Sequence, residues 1–184
     1  MDYTIQTEKI FKFLEFNTEL HEARAILKLK KIFNNDLNLI GGFIKDYLTL
    51  ELDGNIPSDD NLYNDFVICF ENNKNKTSFI KKLINYANYY ITLIFEETND
   101  RVLLNTIVSV NSCYKIEYYP FLMEIMDKFL NKKIDSISYA LMLQLITDDV
   151  FKNFESETQK DISLIELRKQ LESILHSKNE RIAI

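Results

Sequence analysis

The chain has 184 residues, a formal net charge of −6 and an apolar content of 46%, with 13 Phe, 10 Tyr and no Trp. A chain of this size buries roughly 70% of its unfolded surface, and this composition can fill a core, which excludes a disordered chain. Three Gly and two Pro exclude collagen-like and low-complexity classes.

Charge and cysteine content narrow the setting. Nucleic-acid affinity rests on Lys and Arg neutralising phosphates, so a net acidic chain gains little from an RNA backbone. Lys28, Lys30 and Lys31, then Lys74, Lys76, Lys81 and Lys82, and finally Lys132 and Lys133 cluster locally, in the manner of solvated helix faces or ends. Cys69 and Cys113 are too few for a disulfide scaffold and point to a reducing compartment. No apolar run reaches a membrane span, and no basic segment precedes an apolar core at Met1-Asp2. The expectation is a soluble, cytoplasmic protein.

In chain order, Thr4 to Phe33 reads as helix, with Asn17-Thr18 as a break and Thr18 as a cap for a second segment. Asn34-Asn35-Asp36 ends it. Leu37 to Ile40 is a short strand candidate that enters Gly41-Gly42, after which Phe43 to Leu48 reads as a helix start. Asp53 to Asp60 is the clearest loop. Phe66 to Phe70 is a continuous apolar run with the character of a buried strand. Asn72 to Lys76 is a turn, and Thr77 caps a helix with apolar positions from Phe79 to Ala87. Tyr89 to Phe95 and Val102 to Val110 read as strands joined by a turn over Glu96 to Asp100, with a third strand from Cys113 to Tyr119 stopped by Pro120. Helices return at Phe121–Leu130, Ser136–Ile146 and Leu164–Leu175, the last opened by the capping box Ser163 to Glu166. The expected fold class is α+β: a small mixed β-sheet with flanking helices. It divides into an N-terminal helical segment (1–36), an α/β core (37–122) and a C-terminal helical segment (123–184), forming a single compact unit.

Two glycines between a strand and a helix let the backbone approach a ligand, and the helix N-terminus offers free N–H groups to a phosphate. Asp65 opens one predicted strand and Glu117 lies inside another. Carboxylates are seldom left inside strands unless paired, solvated or bound to metal, and two of them on adjacent strands would share a Mg²⁺. His21 and His176 have no partners at ligand spacing, and Cys69 and Cys113 read as core thiols.

The stretch from Leu37 to Leu143 resembles the head domain of the nucleotidyltransferase superfamily, of the class II CCA-adding and poly(A) polymerase type. Gly41, Gly42, Lys45, Asp46 and Leu48 match a GG-x-x-R-D-x-L motif. Tyr63-Asn64-Asp65-Phe66-Val67 matches part of a D-x-D strand, Ile116-Glu117 a later acidic strand, and Lys132-Lys133-Ile134-Asp135 with Ala140-Leu141 an R-R-D segment. The resemblance implies a nucleoside triphosphate held by Gly41, Gly42, Lys45, Asp46 and Asp135. It further implies Mg²⁺ on Asp65 and Glu117 as the catalytic carboxylates, and a hydroxyl acceptor, RNA included. The chain departs from the family at Tyr63, where an acid is expected, and at Tyr139, where Asn is expected. Lysines stand for the motif arginines and lack the bidentate fork. These departures imply a nucleotidyltransferase-like protein with an incomplete carboxylate set, active or degenerate.

A second reading comes from the tail. Met123 to Leu175 resembles the short, acidic, helical immunity proteins that protect against tRNA-cleaving colicins, through Ile125 to Ile134 and Asp161 to Leu175. It implies a non-enzymatic binding protein acting through protein–protein contact, its acidic side chains filling a basic cleft. Strand content separates the two readings: the first requires a sheet, the second almost none.

Overall fold

A computed structural model describes residues 2–17, 20–155, 169, 170 and 173. Every regular element among them is a helix: α1 (Thr4–Asn17), α2 (Leu20–Ile32), α3 (Leu37–Glu51), α4 (Leu62–Asn72), α5 (Lys76–Phe95), α6 (Arg101–Ser112), α7 (Tyr119–Leu130) and α8 (Ser136–Glu155), with short 3-10 turns at Asp59–Asn61 and Ile116–Tyr118. The mixed β-sheet expected from the sequence is absent from the described residues, and the α+β fold class is corrected to all-α. None of these helices is long and apolar enough to cross a membrane. The Thr18 cap, the capping box at Ser163, most of the Leu164–Leu175 helix and His176 lie outside the described residues, as does the side chain of His21.

The strand expectations fail for one physical reason. Leu37 to Ile40 is the first turn of α3, Phe66 to Phe70 lies in α4, Tyr89 to Phe95 ends α5, Val102 to Val110 lies in α6, and Cys113 to Tyr119 forms a turn, a 3-10 turn and the first residue of α7. Their β-branched and aromatic residues lower helix propensity by only a few tenths of a kcal/mol each, which packing of one face overrides. In α4 the buried positions are Leu62, Phe66 and Phe70, four residues apart, and Ile68 inside the same apolar run is 55% exposed. A buried parallel strand would hide all of them.

The helix boundaries are built by polar residues. Asp36 accepts from the Leu39 amide at 2.9 Å, Asp100 from Val102 and Leu103 at 2.9 and 3.1 Å, and Asp135 from Ser138 at 2.7 Å. Asn75, rather than Thr77, receives the Ser78 amide at 2.8 Å and caps α5. At the other ends the chain turns through left-handed residues, Asn35, Asp53, Glu96, Tyr114 and Lys132, at φ between 55° and 62°. The next amide often closes the turn five residues back, as Gly54 to the Thr49 carbonyl, Lys115 to Val110 and Lys133 to Lys128 at 2.8–2.9 Å.

The chain divides into two compact units, Met1–Ile91 and Thr92–Ile184, the boundary falling within α5. In the first, α1 buries Thr7, Ile10, Phe11 and Leu14 at helical spacing. An aromatic cluster spreads from it: Phe13 meets Phe70 edge-on at 5.5 Å, Phe70 meets Phe79 at 5.5 Å, and Tyr47 meets Phe79 and Tyr86 at 5.8 and 5.5 Å. In the second, α6 and α8 pack side by side, with α7 and the 3-10 turn against them. Leu103, Ile107, Val110, Leu122, Met123, Leu143, Ile146 and Val150 fill its centre.

Candidate functional site

The diglycine is a packing device. Gly41 and Gly42 sit inside α3, whose ladder begins with the Ile40 amide on the Asp36 carbonyl, so their N–H groups are not the free donors of a helix start. A Cβ on Gly41 would stand 2.1 Å from the Tyr3 Cβ and 2.7 Å from the Thr7 hydroxyl, so the glycine lets the side chains at the start of α1 pack directly on the backbone of α3. A Cβ on Gly42 would stand 3.2 Å from the Tyr90 hydroxyl of α5.

The other residues of the resemblance are distributed as follows. Lys45 donates to Asp59 at 2.8 Å, and the Tyr3 hydroxyl donates to the same oxygen at 2.9 Å, tying the loop after α3 to the start of α1 and the middle of α3. Burial works against the Lys45 charge, but Asp59 and Tyr3 outweigh it and hold the ammonium above the usual lysine range. The hydrogen bond from Lys45 holds Asp59 below the usual carboxylate range. Asp46 is half-buried on α3, and desolvation, opposed by Lys45, pushes it up to about 8. A carboxyl in that range carries a proton at neutral pH and is a poor cation ligand there. Asp135 caps α8. Asp65 is in the first turn of α4, in the first unit, whereas Glu117 is in the second unit beside Lys115 at 3.5 Å. Adjacent strands were the expected reason for these two acids to share an ion, and there are none here. No group of three His, Cys, Asp or Glu side chains gathers as a cation site among the described residues.

The first unit instead presents a groove that the sequence reading passed over. It is a shallow depression of about 600 Å³ between α1 and α4, widely open to solvent and lined by Lys9, Lys12, Phe13, Phe16, Asn17, Tyr63 and Asn64. Its position follows from the amphipathic pattern of α1. Ile10, Phe11 and Leu14 turn into the core, which leaves Ile5, Lys9, Lys12 and Phe16 on the opposite face at spacings of four, three and four. Phe13 lies at the border, meeting Tyr63 edge-on at 6.4 Å and Phe70 from behind. Phe16 is 88% exposed. Neither Lys9 nor Lys12 has a carboxylate within ion-pair distance among the described residues, whereas Lys30, Lys45, Lys82, Lys115, Lys128 and Lys133 all do. The signal for this groove was in the sequence, as an aromatic left over on the polar side of a helix whose apolar side was already complete.

Compared with known proteins, the chain matches no family model, no curated protein and no solved structure.

Proposed function

We propose that this protein is a non-enzymatic helical binding protein that acts by association with another protein. The observation that carries the reading is the α1–α4 groove with Phe16 standing 88% exposed at its mouth. A scattered exposed apolar side chain is ordinary, but an aromatic side chain beside two others in a concave site marks an interaction surface. The helical content favours the same side, since the nucleotidyl-transfer reading draws its metal and phosphate geometry from a strand–turn–helix and a sheet. The acidic tail is not needed for this reading, which rests on the first unit alone.

The test is recovery of the full-length chain from the cells that make it, beside a Phe16→Asp variant of equal abundance. A protein bound in near-stoichiometric amount to the wild type and lost from the variant is expected. The reading fails if the same proteins accompany both. It also fails if a nucleoside triphosphate with Mg²⁺ raises the melting temperature and Asp65→Ala abolishes the rise, since binding to the folded state stabilises it by mass action.

A further inference from the structure

Resting on that reading, we infer that the α1–α4 groove takes an acidic peptide segment of the partner, anchored by a large apolar side chain. The argument is one of complementarity. Phe13 and Tyr63 line the groove and Phe16 stands exposed at its edge, rings that suit an aromatic or aliphatic anchor, and its α1 wall carries Lys9 and Lys12 one helical turn apart. Both cations are exposed and unpaired among the described residues, on a chain whose net charge is −6. The charged side chains that line the groove are both cationic, on a chain that is acidic overall. Carboxylates entering beside an apolar anchor would meet ammonium groups that pay no cost of breaking an existing ion pair.

The physical setting selects among occupants. Two lysines give a weak hold on a phosphate backbone, and the remaining acidic charge repels it. A shallow helix-bounded groove that sets two lysines beside aromatic side chains suits a segment that offers an apolar anchor with acids next to it. The sign is opposite to the one the net charge suggests: here the acidic member is the partner.

A display library of random 16-residue peptides, selected on the full-length protein with Phe16→Asp as the counter-selection, reads the occupant directly. Enriched peptides are expected to combine net negative charge with Phe, Leu, Ile or Trp. The best of them, measured by fluorescence anisotropy, should weaken by at least about tenfold on the double charge reversal Lys9→Glu with Lys12→Glu, and again on raising the salt. Selection on the double reversal should flip the enriched charge to positive. All three side chains are exposed or border the groove, so the variants fold, and circular dichroism verifies it. Enrichment of neutral or basic peptides that still need Phe16 would overturn the inference while leaving a protein-binding groove in place. Enrichment indifferent to Phe16, or none at all, overturns both it and the groove as the binding surface. A dimer in sedimentation that Phe16→Asp dissolves would assign the groove to a second copy and overturn the inference as well.

Discussion

The two units reach the same architecture by different means. The first is held by aromatic rings: Phe33, just after α2, and Phe43, Tyr47, Phe66, Phe70, Phe79 and Tyr90 of α3 to α5 meet pairwise at 5.3–6.4 Å. The second places hydrogen bonds between its helices. The Thr147 hydroxyl donates to Thr106 at 3.0 Å, Tyr119 donates to Asn111 at 2.7 Å, the Asn111 amide reaches the Leu93 carbonyl at 3.1 Å, and the Tyr118 hydroxyl donates to Asp149, a carboxylate only 4% exposed. Ring packing tolerates small shifts and depends on how closely helices approach. Buried hydrogen bonds depend on every partner being present. The difference teaches where each unit is vulnerable.

The largest effect is expected where the first unit's helices touch. Gly41→Ala gains about 1 kcal/mol of helix propensity, but its methyl would sit 2.1 Å from the Tyr3 Cβ, which is fixed to its own backbone. The helices must separate, and overpacking of that kind costs ~3 kcal/mol, for a net loss of about 2 kcal/mol. Gly42→Ala meets only the far end of a tyrosine side chain at 3.2 Å. There the propensity gain and the small adjustment nearly cancel, within ~0.5 kcal/mol. Urea unfolding of both variants settles the matter: equal stability would mean that the α1–α3 approach is not what the glycine serves.

The second unit should answer to the loss of a single donor. Tyr118→Phe keeps the ring but takes a proton donor from the buried Asp149. Taking a hydrogen-bond donor from a buried polar group costs about 1–3 kcal/mol, more than the removed hydroxyl's own burial returns. Thermal unfolding of Tyr118→Phe beside Tyr119→Phe, whose partner Asn111 is half-exposed, should show the larger loss at Tyr118. The reverse order would break the assignment of the second unit's stability to its buried carboxylate.

The legibility of the sequence followed the same divide. Helices with a clean apolar stripe are readable: α1 and α2 within the Thr4–Phe33 stretch, Phe121–Leu130 and Ser136–Ile146. The loop over Asp53 to Asp60 was readable too, because Gly54 and Pro57 mark it. Aromatic and β-branched stretches were not. Runs such as Phe66 to Phe70 carry a strand's composition, and only the burial of every fourth residue, a tertiary fact, distinguishes them from one. The diglycine misleads for a related reason: glycine is needed both at turns and where another element packs directly on a helix backbone, and Tyr3 and Thr7, which pack on Gly41, are distant from it in sequence. The candidate residues inherited the error, since Asp65 and Glu117 were paired through strands. The groove was half legible, as Phe16 on the polar face of α1; Tyr63 and Asn64, its other wall, come together with it only through packing.

The smallest effect concerns the chain turns, which the two units share. Asn35 and Asp53 close helices in the first unit, and Tyr114 and Lys132 in the second, all in the left-handed region where a side chain costs roughly 1–2 kcal/mol. Asn and Asp relieve part of that cost by local hydrogen bonding; Lys and Tyr do not. Lys132→Gly removes the crowding at φ 57°, while glycine's extra freedom in the unfolded chain takes back part of the gain, so a net stabilisation of ~0.5 kcal/mol is expected. Asn35→Gly, where the side chain already suits the turn, should yield less. Lys133→Gly, one residue beyond the left-handed position, has no strain to relieve and should only lose stability. If Lys132→Gly and Lys133→Gly fall together in urea unfolding, the turn after α7 is not set by the left-handed residue, and the strain the second unit carries there lies elsewhere.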